Sequence, residues 1–386
     1  MFQFKQYNWK RINVSLVITV MILCMVSAYI VRCAADKQFK SSYFRGQIIA
    51  MIAGLLIIVV VSLIDYHFIC RFVPVFYVAT TIMCAATKFS PLGTDLDTNS
   101  WRWLKVGFNL QPSELAKIAL ILTLAVYFSS RREKMDKLST LVLAGVLTML
   151  PTMFIMVQSD LSSSMVMLFI FVVLTYASGL SYKIIGAIAA VVVPVGGALL
   201  WYIQQPWQNL LKGYQYKRVM SFLDPGKYAL GEAYQQIGSI SAIGSGRLLG
   251  KIFTDSTGNR NYVKVDVRES DFIFTVIGEE LGFIGSCIVL LLLAIVIIKC
   301  LIAAKKAKDY LGRMVALGIA SMFMFQIFAN VGVATRLLPN TGLPLPFLSR
   351  GMSSMLSCMI GIGIIINIGL QSGNGSRSGF SMNDYN

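Results

Sequence analysis

Histidine is almost absent from this chain: His67 is the single one in 386 residues. A histidine-based metal centre and a Ser-His-Asp triad are thereby excluded. Seven cysteines (Cys24, Cys33, Cys70, Cys84, Cys287, Cys300, Cys358) fall in or beside apolar runs, and none is spaced as Cys-x-x-Cys. They imply neither a zinc site nor a disulfide framework and read as small residues of a membrane core. No Walker sequence, zinc motif or nucleophile elbow occurs. Charged residues are scarce, at 13%. Although the net charge is +16, there is no basic soluble domain to carry a nucleic acid. A Pro/Gly-rich interdomain linker and an internal repeat are lacking as well.

What remains is hydrophobic, at 56% of residues. Apolar runs of about 18–22 residues separated by short polar stretches mark a polytopic helical membrane protein. About ten spans are expected, near 14–31, 47–64, 73–88, 114–129, 139–157, 162–179, 184–203, 272–298, 314–335 and 352–370. The first is too long for a signal-peptide core and lacks a small-residue cleavage site, so it stays as a span. Lysine and arginine gather at Lys5, Lys10 and Arg11, at Arg131, Arg132, Lys134 and Lys137, and at Lys305, Lys306, Lys308 and Arg313. The positive-inside rule places these clusters and both termini in the cytoplasm. The basic stretch 32–45 falls outside in this scheme and conflicts with it. Two stronger clusters outvote it.

The expected fold is therefore all-α: one transmembrane domain over 1–371, with a disordered cytoplasmic tail at 372–386. Its largest connection, about 204–270, lies between spans 7 and 8 and is expected outside the cell. Ordered connections of that length are usually functional. This one is rich in cations, including Arg218 and Arg247, which suit lipid phosphates or membrane headgroups.

Several polar positions stand at the mouths of spans. Asp271 sits where the eighth span begins, with Glu279 and Glu280 soon after. A carboxylate at the centre of a membrane helix costs about 2–3 kcal/mol or more, and less near the interface. Asp271 reads as a helix N-cap, a chemical group, or both. Gln111-Pro112-Ser113-Glu114 opens the fourth span, and Glu114 shares a helix face with Lys117. That spacing fits a buried ion pair and a functional pair equally. Asp160 either caps the sixth span or faces a cavity. Trp101-Arg102-Trp103 fits an interfacial anchor. Gly244-Ser245-Gly246-Arg247 allows close backbone approach, for a turn or for a pyrophosphate. Between the last two spans, Pro339, Pro344 and Pro346 preclude a continuous helix, and broken backbone at membrane depth lines a cavity or is buried in protein.

Together these segments resemble the SEDS family (shape, elongation, division and sporulation) of RodA, FtsW and SpoVE. The resemblance rests on Gln111 to Glu114 with Lys117, on Arg218 to Pro225, Tyr234-Gln235 and Ala242 to Gly246. Its most specific parts are Asp271 to Phe274 with Glu279-Glu280-Leu281-Gly282, and Pro339 through Ser349. It implies a ten-helix enzyme of the bacterial cytoplasmic membrane that polymerises lipid II into glycan strands. A class B penicillin-binding protein is implied as partner, besides membrane lipids. By position, Asp271 matches the acid regarded as catalytic. Trp103, Glu114, Lys117 and Asp160 match functionally sensitive positions, and Ser349 closes the Pro-rich motif.

The sequence also departs from the family. The usual Gln-Pro-Asp-Leu-Gly-Thr appears as Gln158-Ser159-Asp160-Leu161-Ser162-Ser163. The usual Pro-Glu-x-His-Thr before the acid appears as 266–270, and Tyr-Gly-Gly after Ser349 has become Arg350-Gly351-Met352. The acid itself is retained. On this reading Asp271 takes a proton from a sugar 4-hydroxyl, while Arg218, Arg247, Lys117 or a divalent cation (Mg2+ or Mn2+) neutralises the departing pyrophosphate. A lipid-linked precursor flippase and a non-catalytic scaffold are the rival classes. Gly250-Lys251 points toward the elongation branch.

Overall fold

A backbone immersed in lipid must find its hydrogen bonds within its own segment, so each long apolar run is constrained to a helix. The computed structural model describes residues 7, 13–35, 39–94, 101–105, 109–134, 137–180, 182–205, 208, 214–224, 226, 232–254, 262–263, 265 and 267–371. Helices α1 (Val14–Ala34), α2 (Lys40–Leu63), the six-residue α3 (Tyr66–Arg71) and α4 (Val73–Phe89) come first. A small antiparallel sheet follows, of β1 (Gly93–Thr94), β2 (Trp103–Lys105) and β3 (Asn109–Leu110), in the order β1-β2-β3. Then come α5 (Pro112–Ser130), α6 (Leu138–Val157), α7 (Leu161–Ala177) and α8 (Tyr182–Ile203). The long connection carries α9 (Tyr214–Leu223), α10 (Glu232–Ser245) and α11 (Lys251–Thr254), before α12 (Ile273–Lys306), α13 (Tyr310–Ala334) and α14 (Met352–Gln371).

Each of the ten predicted runs coincides with a helix. Among the described residues seven helices, α1, α2, α5, α6, α12, α13 and α14, are long and apolar enough to cross a membrane. The chain is a multi-pass helical membrane protein. Helices α5, α13 and α14 form its interior, while α2 and α12 lie at the periphery. Close approach there depends on small residues, as is usual between membrane helices. A Cβ added at Gly54 of α2 would stand 2.6 Å from Met359 Cγ of α14, and one at Gly363 of α14 would stand 2.8 Å from Val61 Cβ of α2.

Backbone accounting explains other contacts. Pro151 inside α6 has no N–H for the carbonyl of Leu147, and that carbonyl accepts the Tyr77 hydroxyl of α4 at 2.6 Å instead. The last carbonyls of α13 have no intrahelical donors. Gln236 Nε2 donates to Val333 O at 3.1 Å, and Ser239 Oγ to Ala334 O at 2.7 Å. These bonds seat α10 on α13. The long connection is thus partly helical and packed on the bundle.

Three expectations need correction. The mostly helical fold also carries, at 93–94, 103–105 and 109–110, a small sheet that the all-α expectation left out. Helix α12 is broken at Gly282, which has φ 66° and ψ −167°. Asp271 is not the cap of α12: Phe272 occupies that position, with no side-chain cap bond.

The lone histidine ties α3 to the start of α13. His67 Nδ1 lies 2.9 Å from Asp65 Oδ1 and Nε2 lies 2.6 Å from Asp309 Oδ2. Tyr66 Oη also donates to Asp309, at 2.8 Å, and Gln371 Nε2 to Asp65, at 3.0 Å. Burial alone would depress the imidazolium, yet the two carboxylate bonds outweigh it and raise the His67 pKa from 6.5 to about 9. Both carboxyls are held below their usual range, their own burial being outweighed by the His67 bonds. The sign for His67 follows from linkage. Its contribution is complete below pH 6.5 and is lost as pH rises through about 9; the carboxylates lose theirs as pH falls below about 4. Purified protein should show a falling melting temperature between pH 7 and pH 9.5. The loss is worth about 3 kcal/mol at most, and His67→Gln should flatten that slope. An unchanged slope in the variant would rule the cluster out as its source.

Candidate active site

The stretch before α12 is presented by its carbonyls. Arg350 N–H donates to Glu269 O at 2.8 Å, Ser349 Oγ to Ser270 O at 2.6 Å, and Asn330 Nδ2 to Asp271 O at 2.8 Å. Three consecutive carbonyls are thus held from α13 and the Pro-rich segment. That segment is fixed in turn, since Asn330 Nδ2 also donates to Leu343 O at 2.7 Å and Leu345 N–H donates to Ser349 Oγ at 2.7 Å. With its backbone clamped, Asp271 turns its side chain into a cavity of about 330 Å³. Its carboxylate accepts the Ser270 hydroxyl at 3.0 Å.

The facing wall is built from β2 and from the starts of α5 and α7. Trp103, Gln111 and Ser163 line it. Behind them, buried Asp160 accepts from Gln111 Nε2 at 3.3 Å, from Ser163 Oγ at 2.8 Å and from Ser163 N at 3.1 Å. Asp160 therefore caps α7 and orders two lining side chains in one act. Arg102 reaches the cavity beside Trp103 and donates to Ser159 O at 3.1 Å. Arg350 lines the cavity as well, and Asn340 Nδ2 donates to Gln235 Oε1 at 3.0 Å where both meet it. Among the described residues the lining holds one carboxylate, Asp271, against the guanidinium groups of Arg102 and Arg350. That balance suits an anionic substrate.

The two glutamates that follow Asp271 do different work. Glu279 Oε1 accepts Lys251 Nζ at 2.5 Å and Val263 N at 3.0 Å; Glu280 accepts the hydroxyls of Tyr29, at 3.1 Å, and Tyr262. Glu279 thus ties the long connection to α12, and Glu280 ties both that connection and α1 to it. At the Gly282 break, the freed N–H groups of Phe283 and Ile284 donate to Arg247 O at 2.9 Å and Leu248 O at 3.1 Å. A Cβ on Gly282 would lie 2.3 Å from Gly250 N, so only glycine fits. Gly246 likewise packs on the Gly278 carbonyl. In this structure the Gly-Ser-Gly stretch is a helix contact.

Glu114 and Lys117 pair at 2.8 Å with both side chains fully buried, and Ser357 Oγ donates to Glu114 Oε2 at 3.0 Å. They stand in α5 behind the wall and do not line the cavity.

The sequence and the fold of this bundle of membrane helices are matched by known proteins. Residues 9–374 match the family model FTSW_RODA_SPOVE, described as cell cycle protein. The chain belongs to that family. The peptidoglycan glycosyltransferase MrdB of Escherichia coli (strain K12) is 32% identical over 367 residues, covering 94% of this chain and 95% of the relative. Stage V sporulation protein E of Bacillus subtilis (strain 168) is 30% identical over 357 residues, covering 92% and 94%. A chain from a solved peptidoglycan synthase complex, described for its structural coordination of polymerization and crosslinking, superposes with a TM-score of 0.74. Its identity is 25%, over 94% of this chain and 97% of that one.

In this FtsW/RodA/SpoVE family member, the predicted site residues fall into three groups. Asp271 and Trp103 line the cavity, and Asp160 and Ser349 support it from one bond away. Glu114, Lys117 and Arg247 stand apart from it; the Arg247 side chain is exposed beside the Gly282 break. The side chain of Arg218 and the tail 372–386 lie outside the described residues. Sequence reasoning missed Asn330, Arg102 and Arg350 as site residues. A lone asparagine in the apolar run of α13 was the available signal for Asn330.

Proposed function

We infer that this family member is a peptidoglycan glycosyltransferase that polymerises lipid II into glycan strands on the outer side of the bacterial cytoplasmic membrane. The observation that carries the reading is Asp271 turned into a cavity with arginines at its edge. Glycan extension joins the 4-hydroxyl oxygen of one lipid II to the anomeric carbon of a lipid-linked donor. As that bond forms, the anomeric C–O bond to phosphate breaks, and its electron pair leaves on the pyrophosphate. The hydroxyl proton passes to the Asp271 carboxylate, which acts as general base. The positive lining neutralises charge that develops on the departing group. Trp103 supplies an apolar face for a sugar ring, while Asp160 and Ser349 act as positioning residues. Among the described residues there is no cluster of three metal-ligating side chains. A divalent cation, Mg2+ or Mn2+, would be held mainly by the substrate's own phosphates, with Asp271 as the one carboxylate of the lining near it, and would supply charge neutralisation.

Lipid II must reach this cavity from the membrane, which agrees with ten spans, cytoplasmic termini and a long connection on the outer face. A class B penicillin-binding protein that cross-links the strands is the expected partner, in elongation, division or sporulation. The test is strand formation from labelled lipid II in proteoliposomes, where the substrate needs no crossing. Wild-type protein, with the partner present, should make strands. If it moves lipid II across the bilayer and makes none, it is a transporter instead.

A further inference from the structure

Arg350 carries an observation that the base assignment does not use. Its guanidinium carbon lies 3.5 Å from the centroid of the Tyr43 ring, a stacked cation–π contact between the Pro-rich segment and α2. Tyr43 stacks in turn on Phe39, with centroids 5.6 Å apart and planes 15° from parallel. The Arg350 backbone N–H donates to Glu269 O at 2.8 Å, two residues before Asp271. Arg350 Nη1 lies 3.8 Å from Glu269 Oε1, beyond a good hydrogen bond. The side chain is 42% exposed and lines the same cavity as Asp271.

The guanidinium is thus fixed in plane by an aromatic ring and in position by the backbone that presents Asp271. Planar donors held in advance suit two phosphate oxygens. The other lining arginine, Arg102, already gives a hydrogen bond to Ser159 O. We propose that Arg350, on its Tyr43 platform, is the ligand that receives the pyrophosphate of the lipid-linked donor.

This rests on the glycosyltransferase reading, and it selects one of two pyrophosphates. The acceptor carries its own, but two sugar rings separate that group from the 4-hydroxyl served by Asp271. The pyrophosphate on the attacked carbon is the one within the same small cavity. Arg350 is then a catalytic residue, since it touches the leaving group, and Tyr43 is a positioning residue.

The test reads binding without turnover. In Asp271→Asn protein held in zwitterionic nanodiscs, fluorescent lipid II is competed by undecaprenyl pyrophosphate and by undecaprenyl phosphate. The parent should prefer the pyrophosphate by at least about tenfold, the worth of one charge-assisted phosphate contact. Arg350→Ala and Arg350→Gln should abolish that preference, Arg350→Lys should keep part of it, and Tyr43→Leu should narrow it although Arg350 is intact. Arg350→Gln decides should the alanine variant fail to fold. Full preference in Arg350→Gln would overturn the proposal. So would displacement of the probe by phosphatidylglycerol as readily as by undecaprenyl pyrophosphate, which would make Arg350 a headgroup site. A failure of Asp271 as base appears separately, as strand formation at the wild-type rate by the Asp271→Asn variant.

Discussion

Asp271→Asn should form glycan strands at least about a hundredfold more slowly than wild type, the low end of what a positioned general base contributes. Asparagine fills the same volume and can still accept the Ser270 hydroxyl bond, which is 3.0 Å long in the parent. Asn330 holds the backbone carbonyl at this position whatever the side chain, so the variant should melt close to the parent. What it loses is a carboxylate able to take a proton. Labelled lipid II in proteoliposomes with the partner supplies the measurement, and lipid II binding should persist while turnover falls. Strands made at the parental rate would remove Asp271 from the base role. A scaffold would tolerate the change without loss of partner binding, and a lipid flippase would show it only as altered transfer across the bilayer. Asn330→Leu is the informative control, because it cuts the bonds to Asp271 O and Leu343 O and leaves the carboxylate in place.

The limits of legibility in this sequence follow the range of the physics. Helix existence is local and hydrophobic, so every apolar run became a helix. The pairing of Glu114 with Lys117 is local too, fixed by a spacing of three on one helix, and the structure has it. Asp160 as a cap was equally readable, since capping involves only the next few residues. The cavity is different. It brings Trp103, Gln235, Asp271 and Arg350 together from four parts of the chain, which no periodicity encodes. Arg247 shows the same limit from the other side. A cation beside glycines resembles a phosphate cradle, yet its glycine neighbour is spent on packing against Gly278, and its carbonyl serves the break in α12. That break was hidden because a glycine inside a helical pattern does not announce φ 66°. Asp271 was misplaced by a single residue as a cap, and element ends are where sequence reading is weakest.

Lys117→Ala is the second large effect to expect, this time in stability. Both members of the Glu114–Lys117 pair have 0% side-chain exposure. Removing the lysine leaves a buried carboxylate with Ser357 as its one remaining bonded partner, and stranding one charge of such a pair costs about 3–5 kcal/mol. The variant should express poorly or melt far below the parent. Removing both charges is another matter, because attraction within a buried pair roughly offsets the cost of desolvating it. Glu114→Gln with Lys117→Met keeps the volumes and lets the amide hold Ser357, so its melting temperature should return near the parent's. That double variant separates structure from chemistry. If it is stable and makes strands, the pair only permits α5 to carry polar groups through the interior and so to hold Gln111 and Trp103 in place. If it is stable and inactive, the charges reach the reaction although neither side chain lines the cavity. The geometry favours the first outcome, since Glu114 and Lys117 spend their hydrogen bonds on each other and on Ser357 of α14.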